Sequence, residues 1–312
     1  MTSLEEINRL RRVDSRGRPL LVPVAELTLY WRGSIAERSA ALEGVVRRML
    51  GDIGPALRFF ETGEMAGGKP LRTDTLETIP FWLRQKHVRP DIYWMRLESG
   101  AKRDDPSDQA LLFLADEEDD VRMGALRLAL PPAVLVERPE AFVDRVAYYV
   151  GDLAFESGHA GFGINWDQRG EDALEAKRQE GEIAARFHGV DFFNLDVTLV
   201  AMRLAARPVI KRAGWLTLLG SDITRQLGGE RVLASSLPSG CRVRPLPLGL
   251  VVQAGPEPTI GGPIQHVDLQ YYKAVGELLE PWRVKEHENL FSAATPSGEN
   301  GAALWLSRFD RT

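Results

Sequence analysis

Several places in the chain carry residue types that could do chemistry. GEMAGGKP (63–70) fits the G-x-x-x-x-G-K spacing of a phosphate-cradling loop. That loop needs Ser or Thr next to hold Mg²⁺, and Pro70 stands there instead, so the segment reads as a surface loop. Gly158, Gly161 and Gly163 invite comparison with a dinucleotide fingerprint. They follow a helical pattern and enter a strand, whereas the fingerprint leaves a strand and opens a helix, so a tight turn is the expectation. The histidines His87, His159, His188, His266 and His287 lack metal-ligand spacing, and no HExxH occurs. SSLPSGC (235–241) offers hydroxyls and a thiol but is not a G-x-S-x-G elbow, and Cys241 reads as a small core residue. These tests yield no catalytic set, no cofactor site and no metal site. The expectation is a binding protein, not an enzyme.

Charge and aromatic residues offer the alternative kind of site. Asp116, Glu117, Glu118, Asp119 and Asp120 form an unbroken acidic run, read either as a solvated hairpin tip or as a steering surface for a cationic partner. Trp166 beside Asp167 is a candidate interface anchor. The formal net charge is −5, which disfavours direct, nonspecific binding to nucleic acid and suits a basic partner. A single cysteine excludes an intrachain disulfide and a cysteine-rich zinc site. The first residues, MTSLEEINRLRRVDS, lack the apolar stretch of a signal peptide, and no apolar run approaches the ~20 residues of a membrane span. A soluble cytoplasmic protein is expected.

The elements that must position these residues alternate irregularly. Residues 20–31 read as a strand, with Pro23 confining it to an edge or a late start. Residues 34–54 read as a helix opened by a Ser34–Glu37 capping box, with Ile35, Leu42, Val45, Val46 and Met49 on one face. Residues 61–75 read as a loop, 90–98 as a strand, and 109–132 as two strands around the acidic turn. A helix over 138–155, a glycine-rich turn into a short strand at 158–167, and helices over 171–187 and 194–208 follow. WLTLLG then reads as a strand and SDITRQL as a helix, with Ser221 as N-cap and Gly228 past its end. Residues 241–255 read as strands interrupted by prolines, and 268–282 as a helix. Hairpins outnumber crossovers, so the fold class is α+β, mainly antiparallel sheet or sheets flanked by helices. The expected organisation is a frayed segment at 1–19, a two-lobed unit over 20–285 (lobes 20–168 and 169–285), and a polar tail at 286–312.

GWLTLLGSDITRQLGG (214–229) resembles the most distinctive stretch of the type VI immunity family: a Trp-Leu-Thr strand, a short helix and a Leu-Gly-Gly ending. Trp215, Leu216, Thr217, Leu227, Gly228 and Gly229 match that pattern. SGHAGFG (157–163) is similar to the family's glycine-rich turn. FHGVDF (187–192) is similar to its Pro-Gly-hydrophobic-Asp element, with His188 in the proline position, and YYKAVGELLEPWR (271–283) to its closing helix.

The resemblance implies an immunity protein. Such a protein would bind and neutralise a cognate type VI secretion effector, a nuclease of the VRR-Nuc, restriction-endonuclease-like class, by blocking its active site or its assembly. The partner would be that effector; a homodimer stays open. The six matched residues would be scaffold, and specificity would lie in loops such as 116–120. Two other readings stand beside it: a hydrolase-like enzyme, and a structural component of a secretion apparatus.

Overall fold

The computed structural model describes residues 2–63, 65, 67–83, 92–103, 105–117, 121–166, 172–262, 269–285 and 301–310. The helices are α1 (Leu4–Asn8), α2 (Ile35–Ile53), α3 (Thr73–Trp82), α4 (Ala133–Glu137), α5 (Pro139–Val150), α6 (Asp172–Ala184), α7 (Leu195–Leu204), α8 (Ser221–Gln226), α9 (Gly229–Ser236), α10 (Gln270–Leu279) and α11 (Gly301–Leu306). The strands are β1 (Arg12–Val13), β2 (Pro19–Arg32), β3 (Phe59–Thr62), β4 (Lys69–Pro70), β5 (Ile92–Glu98), β6 (Ala110–Asp116), β7 (Met123–Leu130), β8 (Ser157–Trp166), β9 (Asp191–Phe192), β10 (Leu216–Gly220), β11 (Arg242–Leu246) and β12 (Gly249–Gln253). They form one sheet in the order β11-β12-β10-β8-β2-β7-β6-β5-β3-β4, with β1 beside β2 and β9 beside β8. Pairing is antiparallel except between β8 and β9, which makes the fold α+β. Strands from before and after residue 167 therefore share a single sheet.

The two sides of this sheet differ in chemistry. One carries Leu27, Leu29 and Trp31 of β2 level with Leu128, Leu126 and Gly124 of β7, and then Leu111 and Phe113 of β6. These side chains are buried beneath α2, α3 and α5. Trp31 packs 5.5 Å from Phe113, which in turn meets Trp82 of α3 edge-on. The opposite side carries Glu26, Thr28 and Tyr30 of β2, Arg127 of β7, His159 and Asn165 of β8, and Thr217 of β10. Helices α6 and α7 lie over that polar side.

Several sequence expectations give way here. Segment 20–31 is a central strand, paired with β8 along its length. Pro23 is tolerated because β1 pairs no further than Leu21 and β7 begins at Ala25, so its missing N–H faces a gap between two neighbours. Residues 158–166 continue a ten-residue strand with no turn, and their glycines leave room between β2 and β10. The expected loop 61–75 holds the end of β3, all of β4 and the start of α3. The N-cap of α8 is Gly220, with Ser221 already helical, while Gly228 takes φ of 84° just past its end.

Both chain ends are docked. Ser3 and Glu6 form a capping box that starts α1, and Ile7 and Leu10 are buried. Trp305, Leu306 and Phe309 are also buried, and Asp310 pairs with Arg283. Few apolar residues among many polar ones hid these anchors from a reading based on composition.

The tight spot of the apolar side is Gly124. A Cβ there would lie 2.1 Å from Trp31 Cζ2. Gly124→Ala is expected to lower unfolding free energy by ~1–3 kcal/mol through overpacking, with Trp31→Phe in the same chain recovering part of the loss; urea melts of the three variants check this.

Candidate functional site

Asp191 is the hub of the polar side. It begins β9, which lies parallel to β8 at Gly163, and it is fully buried. Gly189 sets the approach: its N–H donates to Ile260 O at 2.8 Å, and a Cβ would sit 1.9 Å from Thr259 O. Lys211 Nζ donates to Asp191 Oδ1 at 3.0 Å and to Phe192 O at 2.6 Å. Arg212 Nε lies 3.0 Å from the same carboxylate oxygen, and His159 Nε2 contacts Oδ2. Burial alone would raise the Asp191 pKa, but Arg212, Lys211 and His159 outweigh it and hold the carboxyl well below the usual range.

A second buried pair adjoins the hub. Arg127 grips Glu26 Oε2 through Nε at 2.9 Å and Nη2 at 2.7 Å. It also donates to Asn165 Oδ1, and Asn165 Nδ2 donates to Ser107 O at 2.6 Å. The Arg127 guanidinium lies 3.9 Å from the centre of the Phe193 ring. Glu180 of α6 is buried nearby, and desolvation pushes its carboxyl well up despite Lys177, Lys211 and Arg127.

Glu26, His159 and Asp191 bring one ligand atom each within 4.8 Å of one another, the donor types of a metal site. The surroundings oppose a metal ion. Glu26 Oε2 is taken by Arg127 and Asp191 Oδ1 by Lys211, and Arg212 stands beside them, so three fixed cations would repel a fourth. The arrangement is suited to locking β2, β7, β8 and β9 together.

What the hub positions is a cleft of about 570 Å³ on the same side of the sheet. Trp94, Leu112 and Leu114 line it from β5 and β6, Trp166 and Phe193 from β8 and the chain after β9, and Lys177 from α6. Phe193 is held by Arg127, and Trp166 Nε1 donates to Phe193 O at 3.2 Å, so this wall is fixed by the buried network. The sequence candidates fall around it. Trp166 is a wall residue, 8% exposed, with Lys177 Nζ 5.3 Å from its ring centre. Asp116 ends β6, two residues past Leu114, and pairs with Arg203 of α7 at 2.5 Å. Glu117 accepts the Ile35 N–H at 2.7 Å at the start of α2, and burial raises its pKa. Glu118, Asp119, Asp120 and Asp167 lie outside the described residues.

The six motif residues occupy structural positions. Trp215 is buried, stacks on Phe142 and donates to Gly255 O at 3.1 Å. Leu216 is buried in β10, and Thr217 Oγ1 accepts the Gly214 N–H at 3.1 Å. Leu227 packs on the core, and Gly228 and Gly229 both take positive φ. Thr217 pairs in register with His159, so the GWLT and SGHAGFG segments meet beside Asp191 of FHGVDF. Sequence reasoning missed His159, Arg127, Lys211 and Arg212 as a cluster, because they lie on separate strands and loops.

Two outcomes test the hub. Asp191→Asn leaves Lys211 and Arg212 under-compensated and is expected to cost ~3–5 kcal/mol in a urea melt at neutral pH. Because the folded pKa of Asp191 is depressed, its contribution is present above the unfolded value near 3.8 and is lost as pH falls below that. Glu180 has the opposite sign. Its raised carboxyl contributes fully below about pH 4.5, and that contribution is lost as pH rises through the folded pKa. Urea midpoints between pH 5 and 9 are therefore expected to fall less steeply for Glu180→Gln than for the wild type.

Residues 46–309 match the family model described as type VI immunity for VRR-NUC. Among solved structures, the Pseudomonas aeruginosa T6SS protein PA0821 superposes with a TM-score of 0.80 at 21% identity, over 97% of this chain and 88% of that one, which establishes a shared fold. No curated protein sequence matches. No helix among the described residues is long and apolar enough to cross a membrane. With the family model matching residues 46–309, most of its length, this chain belongs to the type VI immunity family for VRR-NUC.

Proposed function

We propose that the chain protects the cytoplasm of its own cell by binding a DNA-cleaving VRR-Nuc effector stoichiometrically, with no catalytic step of its own. The family match carries this reading. The disposition of the chain's reactive groups supports it: Glu26, His159 and Asp191 are at most 2% exposed, and both carboxylates are held in ion pairs by Arg127 and Lys211, where they stiffen the fold. A nuclease needs a basic groove for phosphate, and an acidic protein is attracted to it at long range.

The acidic run contributes to that attraction. Asp116 and Glu117 are tied to Arg203 and to the start of α2, so Glu118, Asp119 and Asp120 are the members to test for steering. Reversing those three to Lys is expected to slow association with the effector by about tenfold or more at low salt and to flatten its salt dependence. Stopped-flow rates at several ionic strengths measure this, and unchanged rates would remove the run from the interface.

Titrating purified chain into a DNA-cleavage assay of its cognate VRR-Nuc effector checks the wider reading. Inhibition should be complete near molar equivalence and be overcome by added effector. Complete inhibition at a small fraction of equivalence would instead indicate an enzyme acting on the toxin. Co-expression should rescue cells from the effector in the same stoichiometric way.

A further inference from the structure

We propose that Glu26, Thr28 and Tyr30 of β2 hold a buried water cluster in the polar half of the core, and that this water joins β2 to the Asp191 hub. The site lies in the interior and stands apart from the immunity reading.

The first support is a row of orphaned oxygens. Glu26, Thr28 and Tyr30 are alternate residues of β2, so all three side chains stand on the polar side of the sheet. Each is 1% exposed. Among the described residues, Glu26 Oε1, Thr28 Oγ1 and the Tyr30 hydroxyl have no hydrogen-bond partner. Buried polar atoms are nearly always bonded, to protein or to ordered water, because an unbonded one forfeits its hydration without return. Three such atoms in a row on one strand mark a place where water is retained.

The second support is that the neighbouring donors are committed elsewhere. Arg127 Nε and Nη2 hold Glu26 Oε2, and its Nη1 holds Asn165. Lys211 Nζ serves Asp191 Oδ1 and the Phe192 carbonyl. His159, level with Thr28 in β8, contacts Asp191 Oδ2, and its Nε2 stays 3.6 Å from Glu26 Oε1, beyond a direct hydrogen bond. The Tyr30 ring lies 5.8 Å from the His159 ring, and the Asp191 and Glu26 charges both act on its hydroxyl. The orphaned atoms therefore gather around His159. Opposite Glu26, β8 brings Gly161, which adds no side chain there.

Charge and bonding capacity select the occupant. Glu26 Oε1 accepts only, the Tyr30 hydroxyl has a proton to donate, and the Thr28 hydroxyl does either. A ligand among them must both donate and accept. A cation accepts no hydrogen bond and is repelled by Arg127, Lys211 and Arg212, and an anion would face Glu26 Oε1. Water is neutral and does both.

A crystal structure of the wild-type chain that resolves ordered solvent should show at least one water within about 3.2 Å of two of these three oxygens. Tyr30→Phe and Thr28→Val each delete one hydroxyl and test the site in solution. If water bonds these groups, each variant should lower the urea midpoint by about 0.3 M, and the double variant should lose less than the sum, because the two share a partner. If the hydroxyls are dry, removing an unbonded buried polar atom should leave the midpoint unchanged or raise it, which would overturn the site. So would strictly additive losses, a crystal structure in which the three oxygens bond directly to protein, or a metal ion in place of the water. Should a variant fail to fold, as circular dichroism would show, the wild-type crystal structure alone decides between a wet and a dry site.

Discussion

The ion pairs of Asp191 are the constraint on which this architecture turns. A carboxylate taken fully out of water is costly unless charge and hydrogen bonds return what solvation gave. Here Lys211, Arg212 and His159 do so, from the loop before β10 and from near the start of β8. The geometry leaves little slack. Phe192 N also donates to Asp191 Oδ1, and Lys211 binds the Phe192 carbonyl, so the backbone of β9 is fixed by the same groups that neutralise its side chain. Because β9 leads straight into Phe193 and α7, the hub fixes one wall of the cleft without being exposed to it.

The sheet can carry this network because its two sides are specialised. On one side β2, β7 and β6 present leucines, Trp31 and Phe113 to α2, α3 and α5, a dry core whose stability comes from area removed from water. On the other, the same strands present Glu26, Arg127, His159 and Asn165 to α6, α7 and the docked C-terminal segment. There Trp305 stacks over Arg308 at 3.8 Å and faces Arg212, so the end of the chain helps seal the charges from solvent. Burying charges rarely adds net stability over an apolar core, but it does specify a unique arrangement, since any slip leaves a charge unpaired. A protein that must present a fixed surface to a partner benefits from that specificity.

The segments that resemble the immunity family acquire a physical meaning from this arrangement. GWLT, SGHAGFG and FHGVDF are far apart in sequence, yet Thr217 pairs with His159, and Asp191 sits beside Gly163. Trp215, just before β10, packs against α5, stacked on Phe142. The glycine of FHGVDF is required because the Thr259 carbonyl occupies the space of a Cβ. The motifs therefore describe one place in the fold: the crossing of β8, β9 and β10 that supports the polar side.

Local physics was readable from the residues alone. The capping box of α2, the apolar faces of α2 and α5, the β6–β7 hairpin around the acidic run, the short helix after WLTLLG and the α+β class all depend on neighbours within a few positions. The sequence by itself also determined the charge balance and the lack of any local catalytic spacing. Pro23 in a central strand, the glycines of β8 inside ten residues of sheet, the docked chain ends and the Asp191 hub were decided by tertiary structure. Each depends on which strand lies beside which: a gap opposite Pro23, a close neighbour for a glycine, a lysine and an arginine brought to an aspartate 20 residues away. The cleft is of the same kind, since Trp94, Leu114, Trp166 and Phe193 line one space only after the sheet has ordered its strands, and register across a sheet is not a property of any short stretch of chain.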